Sequence, residues 1–283
     1  MTKESAATLS NPTNLPARFE IRRLTERHIP WACAIVYHSN LFHSPIWPNV
    51  YSDDKFDRFR RCWEVGEYLI RHQVESGYSF GVFDLEYEFK RKDSAPHGKL
   101  YWDFTGPELT AEQLLDQMDF PLVSIALAYD RVKGFDMAKL GPLMECMPLL
   151  GFLYHVLEER DPRNGSWIPT QPKQVLSRNA TATRHDAEGK GLMRKLAEFL
   201  MRHAAEEGFK AIQIECFADS VHKVWMSPPA PFKASLISEM NTGDHYEEKE
   251  IDGKVVSVCM YKDVKQYAST VSVDLNPTGT VGV

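Results

Sequence analysis

The sequence predicts an α/β fold, α+β in the stricter division, and two observations carry that prediction. A strand pattern over 174–183, with Val175, Leu176 and two threonines, passes through a glycine turn into a helix and out into a second strand at Ala211–Phe217. Other strand-like runs, Phe19–Leu24, Tyr78–Tyr87 and Leu122–Tyr129, are separated by helical stretches, so strands and helices alternate along the chain.

From the N-terminus, Met1–Ala17 is polar with two prolines and is expected to be unstructured. Phe19–Leu24 alternates as the first strand. Pro30–Tyr37 predicts a short helix with proline in its first turn, and Ser52 is placed to cap a longer helix from Asp53 to about Val74. Between them His38–Tyr51 reads as an aromatic loop carrying Phe42, His43, Trp47 and Tyr51. Leu122–Tyr129 is almost continuously apolar and predicts a buried strand. Thr110-Ala-Glu-Gln has the capping-box pattern of a helix start, and Met137–Arg160 is apolar and helical with interruptions at Pro142 and Pro148.

The core unit is the most regular part. Leu192, Leu196, Phe199, Leu200 and Ala204 make one buried helical stripe, and Gly208 stops the helix. At the start of such a helix the first N–H groups lack intrahelical partners and the macrodipole adds partial positive charge, so a phosphate is stabilised there. Past the second strand, Ser220–Met226 is helix-like until Pro228, Pro229 and Pro231 break it. Phe232–Met240 then predicts a resumed helix. Asp252-Gly253 between two alternating runs is a hairpin signal, and residues 266–283 read as a tail.

The turn Gly-Lys-Gly-Leu-Met-Arg-Lys-Leu at 189–196 resembles the coenzyme A pyrophosphate loop of the GNAT superfamily of N-acetyltransferases. That loop has Arg or Gln, two residues, Gly, one residue, then Gly or Ala. Gly191 takes the first glycine position, whereas Glu188 stands in place of Arg or Gln and Met193 in place of Gly or Ala. The resemblance spans about 17–265 and is strongest over 174–226, where Asp219 follows the second strand at a position usually Asn. It implies a GNAT-like acyl-CoA N-acyltransferase fold: a mixed, twisted sheet flanked by helices in one domain over 18–265, with insertions at about 88–120 and 134–170. The strands at 174–183 and 211–217 would splay to admit pantetheine. The insertions would form either a lid or a second layer of core. The loop at 38–51 would either border the acceptor pocket or be pinned to the core.

By the same resemblance acetyl-CoA is the co-substrate. Thr181, Ala182 and Thr183 would hold its arm, and Glu188, Gly189, Lys190, Gly191, Leu192 and Met193 its diphosphate, with Arg194 on a solvated face. The chemistry implied is direct attack of a small-molecule amine on the thioester. An alkylamine is mostly protonated at neutral pH, so a base is needed. Candidates are Glu215, Asp219, His222 and Glu86, with Ser220 or a bound water as acid, because Met226 occupies the position where the family commonly carries a Tyr. The alternative is a non-catalytic module of this fold that binds coenzyme A or a protein partner.

Composition narrows the partners. A net charge of −6 with no basic run beyond Lys90-Arg91-Lys92 argues against nucleic acid. No apolar run reaches membrane-span length and no signal-peptide pattern opens the chain, so a cytoplasmic protein is expected. Five scattered cysteines, none in C-x-x-C spacing, suggest neither zinc nor a disulfide framework. Asn179-Ala-Thr matches a glycosylation acceptor within a strand and is read as chance. No hydrolase elbow, zinc-protease or Walker motif is present.

Overall fold

A computed structural model describes residues 15–251, 253–259 and 267–277. In chain order, β1 (Phe19–Arg23) leads to α1 (Ile29–His38), a π-helical turn at Ser39–His43, α2 (Trp47–Val50), α3 (Lys55–Val65) and α4 (Glu67–Glu75). Then come β2 (Phe80–Asp84), β3 (Lys99–Leu100), α5 (Ala111–Asp116), β4 (Met118–Asp119) and β5 (Leu122–Asp130). The helices α6 (Met137–Cys146) and α7 (Pro148–Glu159) precede the core unit of β6 (Val175–Thr183), α8 (Leu192–Glu206) and β7 (Ala211–Cys216). It is followed by α9 (Asp219–Trp225), β8 (Lys233–Asn241), β9 (Tyr246–Ile251), β10 (Lys254–Cys259) and β11 (Tyr267–Asp274).

A seven-stranded sheet in the order β1-β2-β5-β6-β7-β11-β8 divides the molecule. Its pairs are antiparallel except β6 with β7, which the helical crossover through α8 makes parallel. The fold is therefore the mixed α/β arrangement expected. On one face, α8 buries Leu192, Leu196, Phe199 and Leu200 against Ile212, Ile214 and Val271. Each fully buried side chain of that size contributes about 1.5–3 kcal/mol, which is why the apolar stripe dictates the docking. The other face carries α1, α3, α4 and α7 through Ile35, Phe59, Ile70 and Leu153. The expected capping box is formed: Thr110 Oγ1 accepts from the Gln113 amide and Gln113 Oε1 accepts from the Thr110 amide.

Several expectations are corrected. The helix predicted over Asp53–Val74 is two helices with Asp54, not Ser52, at the N-cap; they break at Gly66. There the buried Tyr37 hydroxyl donates to the Gly66 carbonyl at 2.7 Å, and a β-carbon on residue 66 would lie 1.8 Å from that oxygen. Pro142 is accommodated inside α6, so the break falls only at Met147–Pro148, with a 117° bend. The loop at 38–51 is largely helical turns.

At the C-terminal end, the helix predicted at Phe232–Met240 is strand β8. Ser238 and Met240 are buried and Glu239 is exposed, the period of a strand. Nine residues between prolines and a turn cannot distinguish the two periods; the partner strand decides. That partner is β11, which lies in the segment expected to be a tail. It sits between β7 and β8 with Ala268, Val271 and Val273 fully buried. The hairpin signal is realised as β9 paired with β10, Lys254 opposite Ile251, but this pair stands apart from the main sheet. The main sheet ends on β11 and β8. Of the N-terminal segment, residues 1–14 lie outside the described residues, whereas Leu15 is buried in the core. No single helix among the described residues is long and apolar enough to cross a membrane.

Candidate active site

The site begins where β6 and β7 part. Their ladder runs from Val175 opposite Ala211 to Arg178 opposite Ile214 and stops, while β6 continues to Thr183 along β5. At the departure point β6 is bulged. Ala128 pairs with Arg178 and Ala126 with Thr181, so Leu127 faces two residues, Asn179 and Ala180. Ala180 takes φ +58°, a left-handed conformation that costs a non-glycine residue about 1–2 kcal/mol. The splay opens a cavity of about 800 Å³.

The glycine turn forms one end of this cavity. Gly191 is the N-cap of α8 at φ +70° with no side-chain cap, and Gly189 lies at φ +74°. A β-carbon at either would meet nothing within 4 Å, so conformation rather than crowding demands glycine here. The first N–H groups of α8 are left without intrahelical acceptors and without a capping side chain. Thr181–Thr183 and Glu188–Met193 all lie on the cavity wall, as does Arg194. Thr181 Oγ1 is buried with no partner, whereas Thr183 Oγ1 is 2.8 Å from the Ser124 hydroxyl.

Glu188, the residue that departs from the resemblance, is tied sideways: its carboxylate is 3.3 Å from His185 Nδ1. The His185 ring is stacked on His43 at 3.8 Å between centroids and 6° between planes. Burial, reinforced by His38 and His185, pushes the His43 imidazole down to about 4, so it is neutral at physiological pH. The preceding loop is anchored by the fully buried Arg184, which donates to the Phe120 carbonyl at 2.7 Å and pairs with Asp186.

At the other end, Glu215 on β7 lines both this cavity and an adjoining one of about 230 Å³. Half-buried, it accepts from Gln213 Nε2 at 3.0 Å, and Gln213 Oε1 accepts from Arg163 Nη2 at 2.9 Å. Loss of hydration raises the Glu215 carboxyl above its usual range, against the opposing pull of Arg131. Tyr154 on α7 shares both walls; its hydroxyl accepts from Asn179 Nδ2 at 2.6 Å, and burial lifts the phenol well above its ordinary value. Tyr129, Phe135 and Trp167 give the smaller cavity an aromatic lining.

The other candidates are dispersed. Ser220 is exposed on the wall of the larger cavity. Asp219 is exposed in the first turn of α9 and does not line either cavity. His222 Nδ1 lies 2.8 Å from the Ser269 hydroxyl, turned toward β11 and away from both cavities. Glu86 sits exposed in the turn after β2, near Arg18. Met226 packs against the α8–α9 side of the core. The two readings of the loop at 38–51 coexist in Trp47, which is buried in the core and also borders the larger cavity. Tyr154 and the His43–His185 stack were not anticipated from sequence; the position of Tyr154 inside an apolar insertion gave no chemical signal.

No protein-family model matches the chain, and no curated protein matches it in sequence. Solved structures do share its fold. Arylalkylamine N-acetyltransferase 2 from Aedes aegypti is 12% identical with a TM-score of 0.54, covering 91% of this chain and 99% of its own. The C-terminal condensation domain of Ebony, in complex with beta-alanyl-dopamine, is 15% identical with a TM-score of 0.51, covering 89% and 97%. A Drosophila melanogaster polyamine N-acetyltransferase is 12% identical at 0.50, covering 90% and 99%. With its splayed β6 and β7, the bulge in β6 and the glycine turn opening α8, this chain has the fold of the GNAT superfamily of N-acetyltransferases.

Proposed function

We propose that this protein transfers an acyl group, acetyl in the simplest case, from a coenzyme A thioester to the amine of a small molecule by direct attack in a ternary complex. One observation carries the reading. A single cavity joins the gap between β6 and β7, the uncapped start of α8 and a carboxylate of raised pKa, Glu215. The diphosphate is assigned to the free N–H groups of Leu192–Arg194, and the pantetheine arm to the stretch Thr181–Thr183 of β6 that β7 leaves without a partner strand, where Ser39 Oγ donates to the Thr183 carbonyl at 2.8 Å. Glu215 takes the ammonium proton of the acceptor, the amine nitrogen bonds to the thioester carbon, and the carbon–sulfur bond breaks. As the amide forms the nitrogen gives up its second proton, which reaches the departing thiolate through the Tyr154 phenol or Ser220, so that the relay group ends as it began. The aromatic second cavity fits the body of an acceptor whose amine reaches Glu215, in keeping with neighbours named for arylalkylamines and polyamines.

The test is thermal denaturation with acetyl-CoA, followed by thiol release across a panel of amines. Ligand at 100 times its Kd adds about 2.7 kcal/mol to native stability, so the melting temperature should rise by several degrees. No shift at millimolar ligand counts against the reading. A clear shift with no turnover on any amine points to the non-catalytic module, for which the substituted positions Glu188 and Met193 speak.

A further inference from the structure

Arg178 is one of the largest fully buried side chains of the protein, 1% exposed, and it stands at the last rung of the β6–β7 ladder, where the strands part. Its Nη1 donates to the Leu127 carbonyl at 2.8 Å inside the bulge, and its guanidinium lies 5.6 Å from the Trp225 ring. Its Nε is buried with no hydrogen-bond partner. Among the described residues the titratable group that acts on it is the Cys216 thiol, which burial pushes up to about 12 and keeps neutral. Glu215 is not its counter-ion. Arg178 is in register with Ile214, so Glu215, one residue on, faces the opposite side of the sheet, where Arg131 and Arg163 act on it.

A buried guanidinium with no carboxylate is expensive, and burial alone pulls this one down to about 9. Buried charges in native proteins are paired, so an unpaired one on a cavity wall marks the place of a ligand charge. Arg178 lines both cavities. Its planar fork matches a carboxylate in two-toothed geometry better than any other anion of that size, except phosphate, which is already assigned to the far end at α8.

We propose that Arg178 is the receptor for a substrate carboxylate that enters the gap between β6 and β7. The assignment rests on the acyl-transfer reading and names the chemistry of its substrates. The carboxylate belongs either to the acyl group, as in the monothioester of a dicarboxylic acid, or to the acceptor, as in an amino acid.

Steady-state kinetics on the full chain separates the two sources. One arm compares succinyl-CoA and glutaryl-CoA with acetyl-CoA and butyryl-CoA on a fixed amine; the other compares amines with and without a carboxylate, such as tyrosine against tyramine, on a fixed donor. One arm should show about a tenfold or greater advantage in kcat/KM for the carboxylate-bearing member, carried by KM, the scale of one charge-assisted hydrogen bond. Arg178→Met should bring that ratio close to one. Arg178→Lys, which keeps the charge without the fork, should reduce it, and serves if the methionine variant does not fold. A flat preference in both arms with turnover present overturns the assignment and leaves acyl transfer standing, as does an equal fall in kcat for all substrates in either variant. If no thioester raises the melting temperature, acyl transfer itself fails, and this assignment with it.

Discussion

Glu215 and Glu188 show how one residue type acquires opposite duties from its surroundings. Burial strips Glu215 of part of its hydration, so its folded-state pKa lies above the ordinary glutamate value. For such a group the native state holds the proton more tightly than the unfolded chain. Its stability contribution is present below the unfolded value and is lost as pH rises through the folded one. Ionising Glu215 in the folded protein is therefore a cost to folding, and the same shift suits the base role proposed for it. Glu215→Gln is expected to lower kcat/KM by about 10²–10⁴-fold and to abolish the limb of the pH profile that rises through this group, without lowering the melting temperature at pH 7.5. A variant with an unchanged pH profile removes Glu215 from the base role. Glu188, by contrast, is solvated and held by His185. Two unit charges about 4 Å apart in water repel by about 1 kcal/mol, so Glu188→Gln should tighten coenzyme A by up to about fivefold in calorimetry. The gain should be larger when His185→Gln frees the carboxylate to swing toward the diphosphate, a non-additivity that a double-mutant cycle reads directly.

Among the elements, the start of α8 is the piece on which the proposed cofactor binding depends. Gly191 sits at φ +70° in open space, so Gly191→Ala meets no clash and isolates the backbone cost of a left-handed residue, about 1–2 kcal/mol. The variant should melt a few degrees lower and bind coenzyme A more weakly than that loss alone explains, because relaxing the strain rotates the first N–H groups of α8; an unchanged Kd would detach the turn from the cofactor. This turn was legible in the sequence because the unit around it is local: the stripe from Leu192 to Ala204 and the run Ala211–Phe217 state their periods without outside help. Phe232–Met240 and the last strand were not legible, since each becomes a strand only through the other and the two are joined by a long excursion. The site divides in the same way. The end proposed for the cofactor is built from consecutive residues of one turn, whereas Tyr154 reaches the cavity because α6 and α7 meet at 117°, an angle set by packing.

For the whole molecule the consequence is that the sheet is completed by the chain's last described strand. β11 pairs with β7 through six residues, from Ser269 opposite Cys216 to Asp274 opposite Ala211, and with β8 along its other edge. It buries Ala268, Val271 and Val273 completely, and Leu275 follows at 6% exposure. At about 1.5–3 kcal/mol for each large side chain, removing Val271, Val273 and Leu275 forfeits roughly 5–9 kcal/mol, before any lost ladder hydrogen bonds. Typical domains hold only about 5–15 kcal/mol in all. The same cut strips β7 of one neighbour, and β7 carries Glu215 and one wall of the splay. A chain ending at Lys265 is therefore expected to show no cooperative thermal transition by circular dichroism and no response to acetyl-CoA, whereas the full chain shows both. Cooperative melting of the shortened chain within a few degrees of the parent would mean that the chain up to Lys265 forms a self-sufficient core, and that β11 lends the site its shape without holding the fold.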